Sequence, residues 1–369
     1  MARPYKARPK YRYLLAGLLL TLFGAANGDA QTPVAHLAAP PGFSVELFAD
    51  SLAEPWGLAF SPDGRLYTSL RAAGQVVWLR DDDGDGVAEG STTVVDGLAA
   101  PSGLAFLHES LWIVDAPRVL RLDVMAGDSA GVQVVIDDLP VREIPPSPIL
   151  VDQSGGAFFL AVGAACGACS AEDPRQSTVV RYAVDGTAGQ VWARGLRHVT
   201  AMTVNPETSE LWAVEAGRDD LGSDVPTGEL NVVRRGGHYG WPDCHGQRVP
   251  APEYADPRRC DVSERPVFVF PAGSAPAGLV FYVDGDFPSA YYGDAFVALT
   301  GSVPRIVRLR VAAGRPVALE SFVNGWAGAG GISGHPQSLA VSPDGSLYVA
   351  DPPAGRIWRV VYTAGSGVP

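Results

Sequence analysis

The first residues whose types and spacing could do chemistry are acidic. Asp81-Asp82-Asp83-Gly84-Asp85-Gly86 places carboxylates at 81, 83 and 85, followed by a glycine. This D-x-D-x-D-G spacing wraps oxygen ligands around Ca²⁺, and Gly86 allows the sharp turn. A full EF-hand loop would carry Glu at position 92, where this chain has Thr92. The loop is therefore expected to staple the fold rather than to run a reaction; a solvated acidic hairpin is the alternative. A second concentration of polar and aromatic side chains lies at about 216–275 and includes Arg218, Glu229, Asn231, His238, Tyr239, Trp241 and His245. Just ahead of it stand Arg197 and His198. A neutral imidazole is a competent proton acceptor near pH 7, which makes His198 a candidate base. His36 and His108, in a linker and a turn, are expected to be solvated.

Several reaction classes drop out. Lys6 and Lys10 are the only lysines. Schiff-base chemistry, a phosphate-loop lysine and a Ser-Lys pair are thereby excluded from the body of the chain. The chain has 369 residues, 40 of them acidic against 28 basic, a formal net charge of -12. An acidic chain without a basic stripe is not expected to bind nucleic acid. Residues 1–12 carry five basic side chains, an apolar run follows from Tyr13 to Ala26, and Gly28-Asp29-Ala30 offers small residues for cleavage. This layout predicts a secretory leader over 1–30 and an exported, soluble product with 23 basic residues, all Arg, against 39 acidic. In an oxidising compartment the four cysteines favour disulfides. The most local pairing is Cys166–Cys169 and Cys244–Cys260, but three connectivities remain open, and a zinc site with His238 or His245 competes.

Internal repeats indicate what must position these groups. One phrase recurs six times, at 57, 103, 149, 201, 278 and 338, as in Gly57-Leu-Ala-Phe-Ser-Pro-Asp-Gly-Arg-Leu-Tyr and Ser338-Leu-Ala-Val-Ser-Pro-Asp-Gly-Ser-Leu-Tyr. Each is a hairpin, with apolar runs flanking a turn that Pro, Asp and Gly favour. A third alternating strand follows most hairpins (Val76-Val-Trp-Leu, Ile357-Trp-Arg-Val), and a fourth leads into the next repeat. Strand-rich repeats near fifty residues predict an all-β fold, a six-bladed β-propeller. The last repeat has three strands, and Phe43-Ser-Val-Glu-Leu-Phe-Ala resembles a fourth. The N-terminal strand is therefore expected to complete the last blade and close the ring. The predicted organisation is leader 1–30, linker 31–42, propeller 43–362 with an insertion at about 216–275, and tail 363–369. Trp56, Trp112, Trp212 and Trp358 fall at repeat positions and are expected to pack between blades.

The stretch Gly195-Leu-Arg197-His198, Glu215-Ala-Gly217-Arg218-Asp219, Glu229-Leu-Asn231 and Gly237-His-Tyr-Gly-Trp-Pro-Asp-Cys-His-Gly resembles the soluble glucose/sorbosone dehydrogenases. Weaker likeness extends over roughly 40–362. That family uses pyrroloquinoline quinone with Ca²⁺ on a six-bladed propeller. The resemblance implies hydride transfer from a small sugar or aldehyde hydrate to the quinone, with an electron acceptor that the sequence does not identify. It also implies that Arg197 faces the quinone, that backbone carbonyls at Gly217 and Arg218 hold Ca²⁺, and that Glu215, Glu229 and Asn231 shape the pocket.

The chain departs from the family pattern at several places. The segment that carries the family's catalytic His is here Arg142-Glu-Ile-Pro-Pro-Ser-Pro148, the family Arg-Asn pair is Arg197-His198, the family Lys is missing, and His335-Pro336 replaces a family Arg. His198 or Glu143 must then supply the base, with Arg197 beside it. The alternative is a non-catalytic secreted propeller that binds a carbohydrate or a protein.

Overall fold

The computed structural model describes residues 36–363 apart from 125–130, 146, 153, 168, 170, 223, 226, 227, 254, 255 and 329, and apart from the side chain of Asp219. The expected leader and residues 364–369 of the tail lie outside this range. Six four-stranded antiparallel sheets form the six blades. Blade one holds Pro55–Phe60, Leu66–Leu70, Gln75–Arg80 and Gly90–Val95 from the centre outward. Blades two, three, four and five begin with the inner strands Leu104–Leu107, Ile149–Val151, Val199–Val204 and Pro276–Phe281. Blade six combines Ser338–Val341, Leu347–Asp351 and Arg356–Tyr362 with the N-terminal Phe43–Ala49, which pairs antiparallel to Arg356–Tyr362 from Phe43↔Tyr362 onward. The inner strands touch in cyclic order, so the ring closes as the sequence predicts.

The repeat phrase folds locally for the reasons its residues imply. In Ser61-Pro-Asp-Gly64 the turn ends with Gly64 at φ +86°, a backbone region that favours glycine, and Ser61 N–H donates to Arg65 O at 2.9 Å. Glycine has a second use in the first inner strand. A Cβ on Gly57 would lie 2.2 Å from Ser102 O of the next blade. The bare backbone lets adjacent inner strands close on each other, and Ser69 Oγ bridges them by accepting from Gly57 N at 2.8 Å and donating to Ser102 O at 2.8 Å.

Between blades the packing is apolar. Trp112 meets Phe158 and Leu160 of the following blade, and Trp212 meets Phe281. Trp358 joins a cluster with Phe322 and Trp326. Three of the four repeat tryptophans thus pack between blades as expected. Trp56 does not; it lines a cavity described below.

A further rule joins the blades to their loops. The second strand ends in an acid in blades two, four and six: Asp115, Glu215 and Asp351. Each carboxylate accepts backbone N–H groups from the loop that enters its own blade. Asp115 takes Ala99 and Ala100, Glu215 takes Arg197, and Asp351 takes His335.

Replacing Gly57 with Ala drives a methyl group into the Ser102 carbonyl. The variant is expected to lose roughly 1–3 kcal/mol, the usual cost of overpacking a tight core. Chemical denaturation of Gly57→Ala against the parent chain checks this, and an unchanged midpoint would contradict the close-approach role.

Candidate active site at the mouth of the ring

Strand direction separates the two faces of the ring. Inner strands start on one face, second strands return to it, and third strands leave it again. On that face a cavity of about 360 Å³ opens over the central channel. Its walls come from the starts of inner strands (Trp56, Thr200, Pro276, Gln337), from the end of blade one's second strand (Arg71), and from the loops holding Glu143, Arg197, His198 and Gly217.

Two guanidinium groups face this cavity. The Arg71 guanidinium lies 4.4 Å from the Trp56 ring centroid, and that of Arg197 lies 5.7 Å from Trp241. Among the described residues neither forms a salt bridge. Arg197 Nη1 instead donates to Gly217 O at 2.7 Å. Guanidinium groups that lack a salt bridge and lie over aromatic rings suit a flat anionic ligand.

The insertion in blade four builds the floor. From Val233 the chain turns back along blade three's outer strand, with Arg194 N–H to Gly237 O at 2.9 Å and Tyr239 N–H to Arg194 O at 2.8 Å. That climb brings Trp241 under Arg197 and Gly246 against Glu229. The Cys244–Cys260 disulfide ties the small hairpin of Cys244–His245 and Val249–Pro250 to the turn at Pro257–Cys260. Cys166 pairs with Cys169, so both local pairings form and the zinc reading is overturned.

Beneath Arg197 the carboxylates of Glu215 and Glu229 face each other as cross-strand partners, and both are buried. Glu215 Oε1 accepts from Arg197 N at 2.5 Å. Glu229 accepts from Asn231 Nδ2 at 3.2 Å and from Gly246 N. Burial pushes both carboxyl groups well above the ordinary carboxylate range, and for Glu229 the charge of Glu215 pushes further. The pair therefore retains proton near neutral pH. Among the described residues Asn231 Oδ1, His245 Nδ1, Arg197 Nε and the Trp241 indole N–H have no hydrogen-bond partner, so the chamber holds polar capacity beyond what these groups use.

The proposed base is placed unfavourably. His198 opens in part onto the cavity but sits deep, and burial, helped by the Arg197 charge, lowers its pKa to about 4. It is neutral throughout the physiological range and only weakly basic. Glu143 is exposed on the rim. The buried Arg218 does not line this cavity and is paired with the exposed carboxylates of Asp220 and Glu253. His335 is held by Thr300 O and Asp351 and does not line the cavity.

The acidic loop lies elsewhere. It joins Gln75–Arg80 to Gly90–Val95 on the face opposite the cavity. Asp81, Asp83, Asp85 and Glu89 can place one oxygen each within 4.8 Å of one another. Two residues escaped the sequence reading. Arg71 carried no motif of its own, although its place just past a second strand, at the ring's mouth, was a usable signal. Trp56 is a repeat tryptophan like the packing ones, but it stands at the start of an inner strand, whereas Trp112 and Trp212 lie on second strands and Trp358 on a third.

Fold and site together define a six-bladed propeller with an anion-receptive cavity at its mouth. A family model described as glucose/sorbosone dehydrogenase matches residues 170–359, and the chain belongs to that family. A model of a domain of unknown function matches residues 30–134. The aldose sugar dehydrogenase YliI of Escherichia coli is 27% identical over 68% of this chain and 76% of its own length. Among solved structures, the PQQ domain of pyranose dehydrogenase from Coprinopsis cinerea superposes with a TM-score of 0.74 at 15% identity, covering 89% of this chain and 98% of that one. The PQQ-bound aldose sugar dehydrogenase of Streptomyces coelicolor gives 0.64 at 19% identity, covering 88% and 99%. At these identities the structures support the fold alone.

The buried carboxyl pair fixes a pH dependence of stability. Their raised folded-state pKa values mean that their contribution is complete below the unfolded carboxylate range and lost as pH rises through the raised values. Glu229→Gln replaces a group that must hold a proton with one that is always neutral. The variant is expected to be more stable than the parent at pH 9, by on the order of 1–2 kcal/mol, with no gain at pH 4. Thermal melts at the two pH values test this; a loss at both would contradict it.

Proposed function

We propose that the cavity binds pyrroloquinoline quinone and that the protein is an exported dehydrogenase for a small sugar or aldehyde hydrate. The observation that carries this reading is two guanidinium groups without a salt bridge among the described residues, Arg71 and Arg197, in one cavity with the flat Trp56 wall. A planar tricarboxylate suits that donor set. Gln337 and Thr200 add neutral hydrogen-bonding groups. When bound, the quinone would supply the hydride acceptor. Arg71 and Arg197 would hold its carboxylates, and the Gly217 and Arg218 carbonyls would offer oxygens to Ca²⁺, with Gly217 O released from Arg197. Glu215, Glu229 and Asn231 would hold the loop beneath. A separate Ca²⁺ in the loop of Asp81, Asp83 and Asp85 would staple blade one. The leader would direct export, and the electron acceptor is left open.

His198 is the assigned proton acceptor for the substrate hydroxyl, and Glu143 stands second on the rim. The low basicity of His198 favours a second reading, a non-catalytic propeller that binds a carbohydrate or a protein at the same face.

Calorimetric titration of the mature chain with pyrroloquinoline quinone and Ca²⁺ tests the main reading. Saturable, calcium-dependent binding is expected, weakened at least tenfold by Arg71→Ala and by Arg197→Ala. Absence of binding would leave the second reading. If dye-linked aldose oxidation follows, its acid limb should fall near pH 4, where His198 takes up a proton, and His198→Gln should abolish turnover while quinone binding persists. A limb nearer pH 6.5 would remove His198 as the base.

A further inference from the structure

A second, larger concavity lies on the opposite face, between blades three and four, with a volume of about 750 Å³. Its walls run the full radius of blade three, from Leu150 on the innermost strand through Phe159 on the second to Trp192 on the outermost. The blade-four wall is supplied by Thr203, Val204 and Glu210. The shape is therefore an elongated groove, of a size that takes a small-molecule ligand of several rings.

Its chemistry is selective. Phe159 and Trp192 meet edge to face at 5.3 Å, and the Arg235 guanidinium stands 5.8 Å from the Trp192 centroid. The lining carries both signs, Asp152 and Glu210 beside Arg234 and Arg235, and Glu210 is paired to Arg234 at 3.2 Å and, from behind the lining, to Arg315. This is the reverse of the cavity at the mouth, where the guanidinium groups lack salt-bridge partners. A wall of mixed sign gives no gain to a polyanion or a polycation. An aromatic strip flanked by guanidinium, carboxylate and hydroxyl groups favours a ligand with apolar ring faces and hydroxyl edges.

We propose that this groove binds a neutral oligosaccharide, separately from the cavity at the mouth of the ring. A sugar ring stacks on Trp192 with the Phe159 edge beside it, and its hydroxyls donate to Asp152 and accept from Arg235. A site there would hold a longer glycan against the protein while the other face stays free.

The test is calorimetric titration of the mature chain with cellotriose, maltotriose and xylotriose, and with trigalacturonic acid as an anionic comparison. Saturable binding of at least one neutral trisaccharide is expected. It should weaken at least tenfold in Trp192→Ala and in Val204→Arg, and stay unchanged in Arg197→Ala, which alters the cavity. Val204 is 46% exposed, so its variant keeps the test valid even if Trp192→Ala fails to fold. The proposal is overturned if no neutral trisaccharide saturates, if trigalacturonic acid binds more tightly, if both groove variants bind normally, or if Arg197→Ala abolishes binding.

Discussion

One hydrogen-bonded clasp holds the working face together. Glu215 ends the second strand of blade four and accepts the backbone N–H of Arg197, the loop residue that presents its guanidinium to the cavity. The same device appears in blade two with Asp115, which also pairs with Arg118, and in blade six with Asp351, which also accepts the indole N–H groups of Trp326 and Trp358. In blade four the acid is longer by one methylene, and a second acid, Glu229, sits across from it. A repeated structural clasp has thus become the support of a binding site. Its carboxyl is deeply buried, and burial raises the pKa of both members of the Glu215–Glu229 pair.

The two ends of the ring differ in electrostatics although they share strands. At the mouth Arg71 and Arg197 lie over tryptophans with no salt bridge among the described residues, whereas Arg118 and Arg356 on the same face are paired with Asp115 and Asp50. In the far groove Arg234 is paired with Glu210 and Arg235 lies over Trp192. Because a propeller strand spans both faces, one blade can serve both ends. Blade four does so, with Glu229 at the top of its third strand and Arg234 just past the bottom.

The imidazole in the cavity illustrates how burial sets chemistry. His198 would be a near-neutral base in water, but its depth and the neighbouring Arg197 disfavour the imidazolium. A site built to receive an anion with guanidinium groups makes any nearby histidine a weaker base. Burial and the Arg197 charge therefore both work against proton abstraction by the same loop.

The sequence alone determined the blades. Hairpin turns such as Ser61-Pro-Asp-Gly64 are fixed by local backbone preferences, and six copies with a displaced fourth strand at Phe43–Ala49 allow only a closed ring. It also determined that Arg197, Glu215, Glu229 and Asn231 belong together, because they share one motif-rich stretch. Tertiary structure decided what that stretch meets. Arg71 and Trp56 come from blade one, more than a hundred residues away, and reach the cavity only because inner strands converge at the ring's mouth. Register across the Glu215↔Glu229 pair, and the depth that weakens His198, depend on the packing of neighbouring blades. The calcium-type loop was legible as a motif, but its place on the face opposite the cavity follows only from strand direction. Spacing along the chain records local chemistry; which charges lack salt-bridge partners and which lie buried is a property of the closed ring.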